Sequence, residues 1–203
     1  MNEIHSLDDR LLLDVNAFAR DTGWLHGAVA GYANYGIVLF ALLLLAGLVV
    51  ARRGSSRTLA AAGWAPIAML VAVGLNQPIG SAVAEARPYT THAHLLVLAH
   101  RTADFSFPSD HAVMAGAAAT GLLLVSRKLG VVAWVAALVM AFARVYIAAH
   151  YPWDVVAGLV LGAAVAGLGW LLFRSPLTAL AAWLRGRPVV RTAFAEDPAL
   201  ARP

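Results

Sequence analysis

Five apolar runs, near Tyr35–Val50, Leu59–Val83, Ser109–Val125, Val131–Ala149 and Val155–Phe173, divide the chain, and charged residues collect between them. Each run approaches or exceeds the ~20 residues that an α-helix needs to cross ~30 Å of hydrocarbon. Apolar residues make up 61% of 203 positions, more than a soluble domain of this size could bury. The pattern predicts an all-α fold, a polytopic membrane helix bundle with about five transmembrane helices. Gly and Ala recur inside the runs, as in Gly116-Ala117-Ala118-Ala119 and Gly158–Ala166. Small side chains of this kind let helix backbones approach closely in lipid.

Ahead of the first run, Ile4, Leu7, Leu11, Val15 and Phe18 recur at helical spacing among Glu3, Asp8, Asp9, Asp14 and Asp21. That spacing predicts an amphipathic helix lying at the interface, and its acidic charge is opposite to that of a secretory signal. A sixth span through Trp24–Ala30 stays open. The expected organisation is an N-terminal interfacial segment over residues 1–34, a transmembrane core over 35–174 and a cytoplasmic tail over 175–203. Within that tail Pro176–Leu184 reads as a short interfacial helix, followed beyond Arg185 by a stretch too polar to insert.

Basic residues set the expected orientation, because short loops rich in Lys and Arg stay cytoplasmic. Arg52, Arg53, Arg57, Arg127, Lys128 and the Arg-bearing C-terminus are therefore inside. Five crossings then leave the N-terminus, the Glu85–Pro108 loop and the His150–Asp154 corner outside. The net charge of +4 is explained by this asymmetry, with anionic membrane lipid as its partner and no nucleic-acid module in view. The absence of cysteine excludes thiolate chemistry and disulfides.

The chemistry gathers in three pieces: Arg87-Pro88, then Pro108-Ser109-Asp110-His111, then Arg144 through His150 to Asp154. Ionisable groups at the ends of apolar runs cost roughly 2.5–3.5 kcal/mol at mid-membrane, so each needs a partner or a task. Ser109 reads as an N-cap with His111 in the first helical turn, where free backbone N–H groups favour an anion. The plain alternative is a cap and nothing more. Arg144 stands six residues before His150, near one helix end, and snorkelling alone would account for it. Asp154, at the start of the last run, can accept a hydrogen bond from one ring nitrogen of His150 and leave the other free to attack; an aspartate favoured by the helix dipole is the bland version. Two arginine forks converging with a helix N-terminus would suit a phosphoryl group.

In order and spacing these pieces resemble the three signatures of the type 2 phosphatidic acid phosphatase superfamily of membrane phosphatases. The resemblance spans Asn76 to Asp154 and the surrounding bundle. It implies His150 as nucleophile through a phosphohistidine, Asp154 as its orienting partner, His111 as general acid, and Arg87, Ser109 and Arg144 as phosphate ligands, with no metal or other cofactor required. The superfamily lysine falls at Gly80, its second-signature glycine at Asp110, and the serine before its arginine at Ala143. Asn76, Glu85, Arg87-Pro88-Tyr89, the run Ala103–His111 and His150–Val155 are similar to the undecaprenyl pyrophosphate phosphatases associated with bacitracin resistance, which also lack the lysine. Asn76, Glu85 and Asp110 are auxiliary candidates, and Asn76, His92, His94 or His100 could stand in for the lysine. The three histidines also resemble a loose metal cluster, although solvated histidines explain them more simply.

The resemblance implies a multi-pass enzyme of the bacterial inner membrane. It would hydrolyse undecaprenyl pyrophosphate to undecaprenyl phosphate on the outer face, recycling the cell-wall carrier and giving bacitracin resistance. Phosphatidic acid or diacylglycerol pyrophosphate is the same-chemistry alternative. A proton-coupled transporter using His111, His150 and Asp154 as a relay is the alternative of a different class.

Overall fold

The computed structural model describes residues 2–187, and those residues are helical apart from short connections and one long loop. The order is α1 (Asn2–Asp21), a 3-10 turn (Gly23–Leu25), α2 (His26–Tyr35), α3 (Ile37–Ala51), α4 (Ser56–Val83), α5 (Pro88–Thr91), α6 (Asp110–Val125), α7 (Arg127–Tyr146) and α8 (Pro152–Arg185). No strand occurs among the described residues.

Helices α4, α7 and α8 are each long and apolar enough to cross a membrane, and Gly23–Tyr35 with α3 forms a fourth such unit bent by 55°. The remaining apolar run becomes α6, whose 16 residues span roughly 24 Å, short of the hydrocarbon thickness. The expected run is thus a helix but a short one. Its first turn is enclosed by the segment leading into it, where Ser106, Pro108 and Ser109 are buried.

Small residues dominate the packing around α6, with larger side chains such as Phe40, Leu122 and Met140 filling the core between helices. Around α6, which packs against α3, α4, α7 and α8, the buried side chains include Ala112, Ala115, Ala117, Ala118 and Ala119. Leu70, Val160, Leu168, Leu171 and Leu172 stay more than half exposed. In lipid there is no gain from hiding leucine, so association follows from close backbone packing. Two α8 glycines make the approach to α6 feasible. A Cβ on Gly158 would stand 2.8 Å from the Ser109 carbonyl, and one on Gly162 would stand 2.7 Å from the Ala117 nitrogen.

Helix α1 lies against the loop end of the bundle, but not by its leucine stripe. Leu7, Leu11 and Phe18 remain exposed, whereas Asp8, Leu12, Asn16 and Ala19 are buried. Of the expected apolar face, Leu7, Leu11 and Phe18 therefore point outward while Val15 packs inward, and polar handles fasten the buried side. Asn16 exchanges two hydrogen bonds with the backbone of Leu96, at 2.8 and 3.0 Å. Arg20 donates to the His94 carbonyl, and Asp8 accepts from the Trp153 N–H at 3.0 Å.

At the opposite end, α8 runs through the expected boundary at residue 174 and through Pro176 to Arg185. Its 34 residues reach roughly 51 Å. The segment expected as a separate interfacial helix is its continuation: Leu177 and Ala181 pack with Ala60, Ala61 and Trp64, and Arg185 donates to the carbonyls of Ala51 and Arg52. The tail beyond residue 187 lies outside the described residues.

If close α6–α8 packing holds the bundle, Gly162→Leu should lower the stability of the purified protein in detergent by about 3 kcal/mol or more, since backbone must move to admit the side chain. Gly74→Leu, a position with nothing within 4 Å, should leave the thermal unfolding midpoint unchanged. Equal midpoints for the two variants would contradict this account of the packing.

Candidate active site

Four chain ends meet on one side of the bundle: the close of α4, the α5 loop, the start of α6 and the α7–α8 corner. The corner turns on Ala148, which takes a left-handed backbone at φ 59°, while the Ala149 N–H returns to the Arg144 carbonyl at 3.1 Å. This ends α7 in the manner of a left-handed C-cap and swings His150 back toward Arg144. Pro152 then opens α8, and Asp154 accepts from the Tyr151 N–H at 2.8 Å. Arg87 occupies the N-cap position of α5, ahead of Pro88.

These ends enclose a cavity of about 240 Å³ lined by Arg87, His111, Arg144, His150, Asp104, Asp110, His100 and Asn34, among others. His150 is buried, and its Nδ1 lies 2.8 Å from the Ser106 carbonyl. A carbonyl only accepts, so Nδ1 carries the proton and Nε2 presents its lone pair. Toward Nε2 point Nη1 of Arg87 at 3.2 Å and Nη2 of Arg144 at 3.3 Å. Each guanidinium is also tied to a carbonyl, Arg87 to Ala149 at 2.8 Å and Arg144 to Ala33, in the last turn of α2, at 3.2 Å.

Burial, then the charges of Arg144 and Arg87, hold the His150 imidazole well below its ordinary value of 6.5. It is therefore a neutral base at neutral pH, with its free nitrogen facing two cations in a confined space. Such a nitrogen can attack phosphorus, and such cations can take the oxygens.

Two of the expected contacts are arranged differently. The Nδ1 hydrogen bond of His150 goes to Ser106, and Asp154 Oδ2 lies farther off, at 3.5 Å. That oxygen is already occupied by the Ser106 hydroxyl and the Tyr151 N–H, so the link from Asp154 to the ring runs through Ser106, whose hydroxyl it accepts from and whose carbonyl takes the Nδ1 proton. Ser109 does stand at the α6 N-cap, yet its hydroxyl makes no cap bond. That hydroxyl and Arg144 Nε are buried donors without a hydrogen-bond partner among the described residues. Each such group costs about 1–3 kcal/mol; Arg144 lines the cavity, where an anion would offset its share, whereas Ser109 is fully buried and is not among the residues lining it.

The auxiliary candidates brace the site. Asn76 donates to the Pro108 carbonyl at 2.9 Å and to Asp110 Oδ1 at 2.7 Å, and Gln77 adds a bond to the same oxygen at 3.1 Å. A Cβ on Gly80 would lie 3.2 Å from the Phe107 carbonyl, so the loop leans on α4 where the superfamily lysine would start. Glu85 accepts the Ser106 N–H at 2.8 Å, and its side chain contacts Asp154. His100 lines the cavity, whereas His92 faces Asp9 at 3.4 Å and His94 offers its carbonyl to Arg20. Among the described residues, no group of three or more His, Cys, Asp or Glu side chains is placed to share a metal ion.

Asp104, Ser106, Gln77 and the Ala33 carbonyl join the site without having been assigned a role from sequence. Asp104 and Ser106 lie within the run Ala103–His111, so proximity was their available signal. Nothing in the sequence pointed to a backbone carbonyl more than a hundred residues from Arg144.

Residues 61–176 match the family model of the PAP2 superfamily. The undecaprenyl-diphosphatase BcrC of Bacillus subtilis (strain 168) is 36% identical over 141 residues, covering 70% of this chain and 69% of its own length. The bacitracin transport permease protein BcrC of Bacillus licheniformis is 30% identical over 151 residues, covering 73% and 71%. In fold, the chain is similar to the crystal structure of a transmembrane PAP2 type phosphatidylglycerolphosphate phosphatase from Bacillus subtilis. The TM-score is 0.65 at 20% identity, over 86% of this chain and 88% of that one.

The environment of His150 has a pH consequence that can be read without any substrate. Ring-nitrogen NMR should show His150 as the Nδ1–H tautomer at pH 6.5, protonating only at considerably more acid pH. The unfolded chain takes up this proton near the ordinary histidine value and the folded chain does not, so stability contributed by the neutral ring falls as pH drops below about 6.5. A His150 resonance titrating at its ordinary value would contradict the buried, doubly flanked ring.

Proposed function

The chain belongs to the PAP2 superfamily, and on that footing we propose that it is a membrane phosphatase removing the terminal phosphate of undecaprenyl pyrophosphate. The observation that carries this reading is the unprotonated Nε2 of His150 facing two guanidiniums, in a cavity that His111 also lines. The name of the B. subtilis relative supports the choice of lipid. Bacitracin resistance is the corresponding phenotype.

In this mechanism the Nε2 lone pair attacks the terminal phosphorus, the bond to the bridging oxygen breaks, and that oxygen departs with its electrons on the lipid monophosphate. His111, protonated when the diphosphate's negative charge is bound beside it, gives it a proton. The phosphohistidine ring is positive, and its Nδ1–H stays on the Ser106 carbonyl with Asp154 nearby. Water then attacks phosphorus, His111 takes the proton, and the N–P bond returns its electrons to Nε2 as inorganic phosphate leaves. Arg87, Arg144, the Ser109 hydroxyl and the N–H groups of the first α6 turn stabilise the phosphoryl oxygens. The mechanism uses no metal.

Basic loops at Arg52–Arg57 and Arg127–Lys128 support a multi-pass inner-membrane protein with this cavity outside. An Ala103→Cys variant, at an exposed loop position, should react with an impermeant thiol reagent on intact cells. Labelling confined to permeabilised cells would reverse the orientation.

The name of the B. licheniformis relative attaches transport to that protein, and a proton-coupled transporter is the second reading. The two separate in detergent with chelator present, where only an enzyme releases phosphate. Undecaprenyl pyrophosphate should be favoured over diacylglycerol pyrophosphate and phosphatidic acid, and failure of that ranking would remove the assigned substrate. Arg144→Lys, which keeps the charge but not the planar fork, should cost about 10²-fold or more in turnover.

The two histidines should differ by leaving group. His150→Ala should abolish turnover of every substrate. With a diphosphate the departing group is a phosphate of second pKa about 6; with phosphatidic acid it is an alkoxide, comparable to hydroxide from water at about 15.7. His111→Ala should therefore slow the chemical step more on phosphatidic acid than on the prenyl diphosphate. Equal losses in single-turnover assays would argue against His111 as the acid.

A further inference from the structure

The Arg87 guanidinium is held on its outer edge by a carboxylate that the mechanism above does not use. Nε donates to Asp104 Oδ1 at 3.2 Å and to the Asp104 carbonyl at 3.3 Å, while Nη2 donates to Oδ2 at 2.9 Å. This is the side-on bidentate pairing that fixes an arginine plane as well as its charge. We propose that Asp104 is the positioning residue of Arg87: by taking the Nε–Nη2 edge it aims Nη1 at the phosphoryl group arriving on His150. The inference rests on the reading of this cavity as a phosphatase centre and deepens it.

Donor accounting supports the assignment. With Nε and one Nη2 N–H on Asp104 and one Nη1 N–H on the Ala149 carbonyl, two of the five guanidinium donors are left, and one of them, the second Nη1 N–H, faces His150 Nε2. That Nη1 donor is the one that an oxygen on the attacked phosphorus would meet. Arg144 approaches the same nitrogen from the other side, and its charge pushes Arg87 away. Asp104 opposes that push from the cavity rim.

A purely structural role fits less well. The Asp104 side chain is 59% exposed while that of Arg87 is 8%, and pairs open to solvent contribute little to folding. The loop is anchored independently. Tyr89 hydroxyl accepts the Thr102 N–H at 3.0 Å and donates to the Thr102 carbonyl at 3.1 Å, and Ser106 is tied to Glu85. Burial alone would raise the Asp104 carboxyl, but hydrogen bonds from Thr102 and Arg87 and the Arg87 charge outweigh it and hold it below the usual range. The carboxylate stays ionised wherever the enzyme would work.

The experiment is a double-mutant cycle on the full chain in detergent, reading phosphate release from farnesyl diphosphate in single turnover. Asp104→Ala should lower the rate about tenfold to a hundredfold, the size expected of a misaimed catalytic contact, with an unchanged thermal midpoint. Asp104→Asn keeps one acceptor for Nε and should fall between. In an Arg87→Lys background there is no planar edge to hold, so Asp104→Ala should add less than about twofold. The same factor in both backgrounds would overturn the inference. Orthovanadate binding by calorimetry gives a readout free of turnover: Asp104→Ala should weaken it when Arg87 is present and not in Arg87→Lys, and equal weakening would again overturn it. Should the wild-type protein release no phosphate from any prenyl diphosphate or lipid phosphate, the proposed function fails, and the vanadate cycle still decides the role of Asp104.

Discussion

Two cations converging on one neutral ring nitrogen are the constraint to which the rest of the site answers. The contacting guanidinium nitrogens of Arg87 and Arg144 lie 3.2 and 3.3 Å from His150 Nε2, which limits their separation to about 6.5 Å. At an effective dielectric of 20 like charges that close repel by roughly 2.5 kcal/mol or more. They stay together because each is countered separately. Arg87 has Asp104 and the Ala149 carbonyl, and Arg144 has the Ala33 carbonyl at the negative end of α2. An anionic substrate would add the countercharge between them.

That requirement explains features that look unrelated. The 55° bend between the Gly23–Tyr35 segment and α3 accompanies a helix end, α2, whose carbonyl serves Arg144 in place of ordinary continuation across the bilayer. The left-handed Ala148 accepts an unfavourable backbone, of order 1–3 kcal/mol, and in exchange His150 faces Arg144 six residues earlier. The α8 glycines let the Ser109 carbonyl and α6 come against α8, so that the Ser109 N–H reaches the Asp154 carbonyl at 3.1 Å. Small-residue packing in lipid thus delivers the accuracy that catalysis at a helix N-terminus needs.

How far the sequence disclosed this depends on whether the signal was local. The apolar runs became helices because their length and composition leave no other way to satisfy the backbone in lipid. Arg87, His111, Arg144 and His150 line one cavity, as the spacing of the three pieces predicts. The finer wiring was not legible. Residue type alone made Asp154 the natural acceptor for His150, but a backbone carbonyl, Ser106, took the bond, and carbonyls carry no sequence signature. Ser109 occupies the cap position without making the cap bond. For α1, the leucine stripe predicted a helix lying at the interface, and Leu7, Leu11 and Phe18 do face outward; what fastens its other side, the buried Asp8 and Asn16 on distant backbone groups, had no periodic signal to mark it.

The departures at Gly80 and Asp110 bear on what kind of phosphate site this is. Relative to the superfamily pattern, the position of a cation carries no side chain and a neutral position carries a carboxylate, so Asp104 and Asp110 formally balance Arg87 and Arg144. Net positive charge then contributes less to affinity than the superfamily pattern would supply. Directed donation contributes the rest: the inner edges of two fixed guanidiniums, the backbone N–H groups opening α6, and the Nε of Arg144, which has no acceptor among the described residues. Asp110, turned onto Asn76 and Gln77, has its charge spent on bracing the loop against α4 at the glycine where the lysine would begin. A site organised this way discriminates by where the substrate oxygens lie more than by how much charge they bring. Directed donors of this kind match the tetrahedral array of oxygens on a phosphoryl group better than a planar carboxylate.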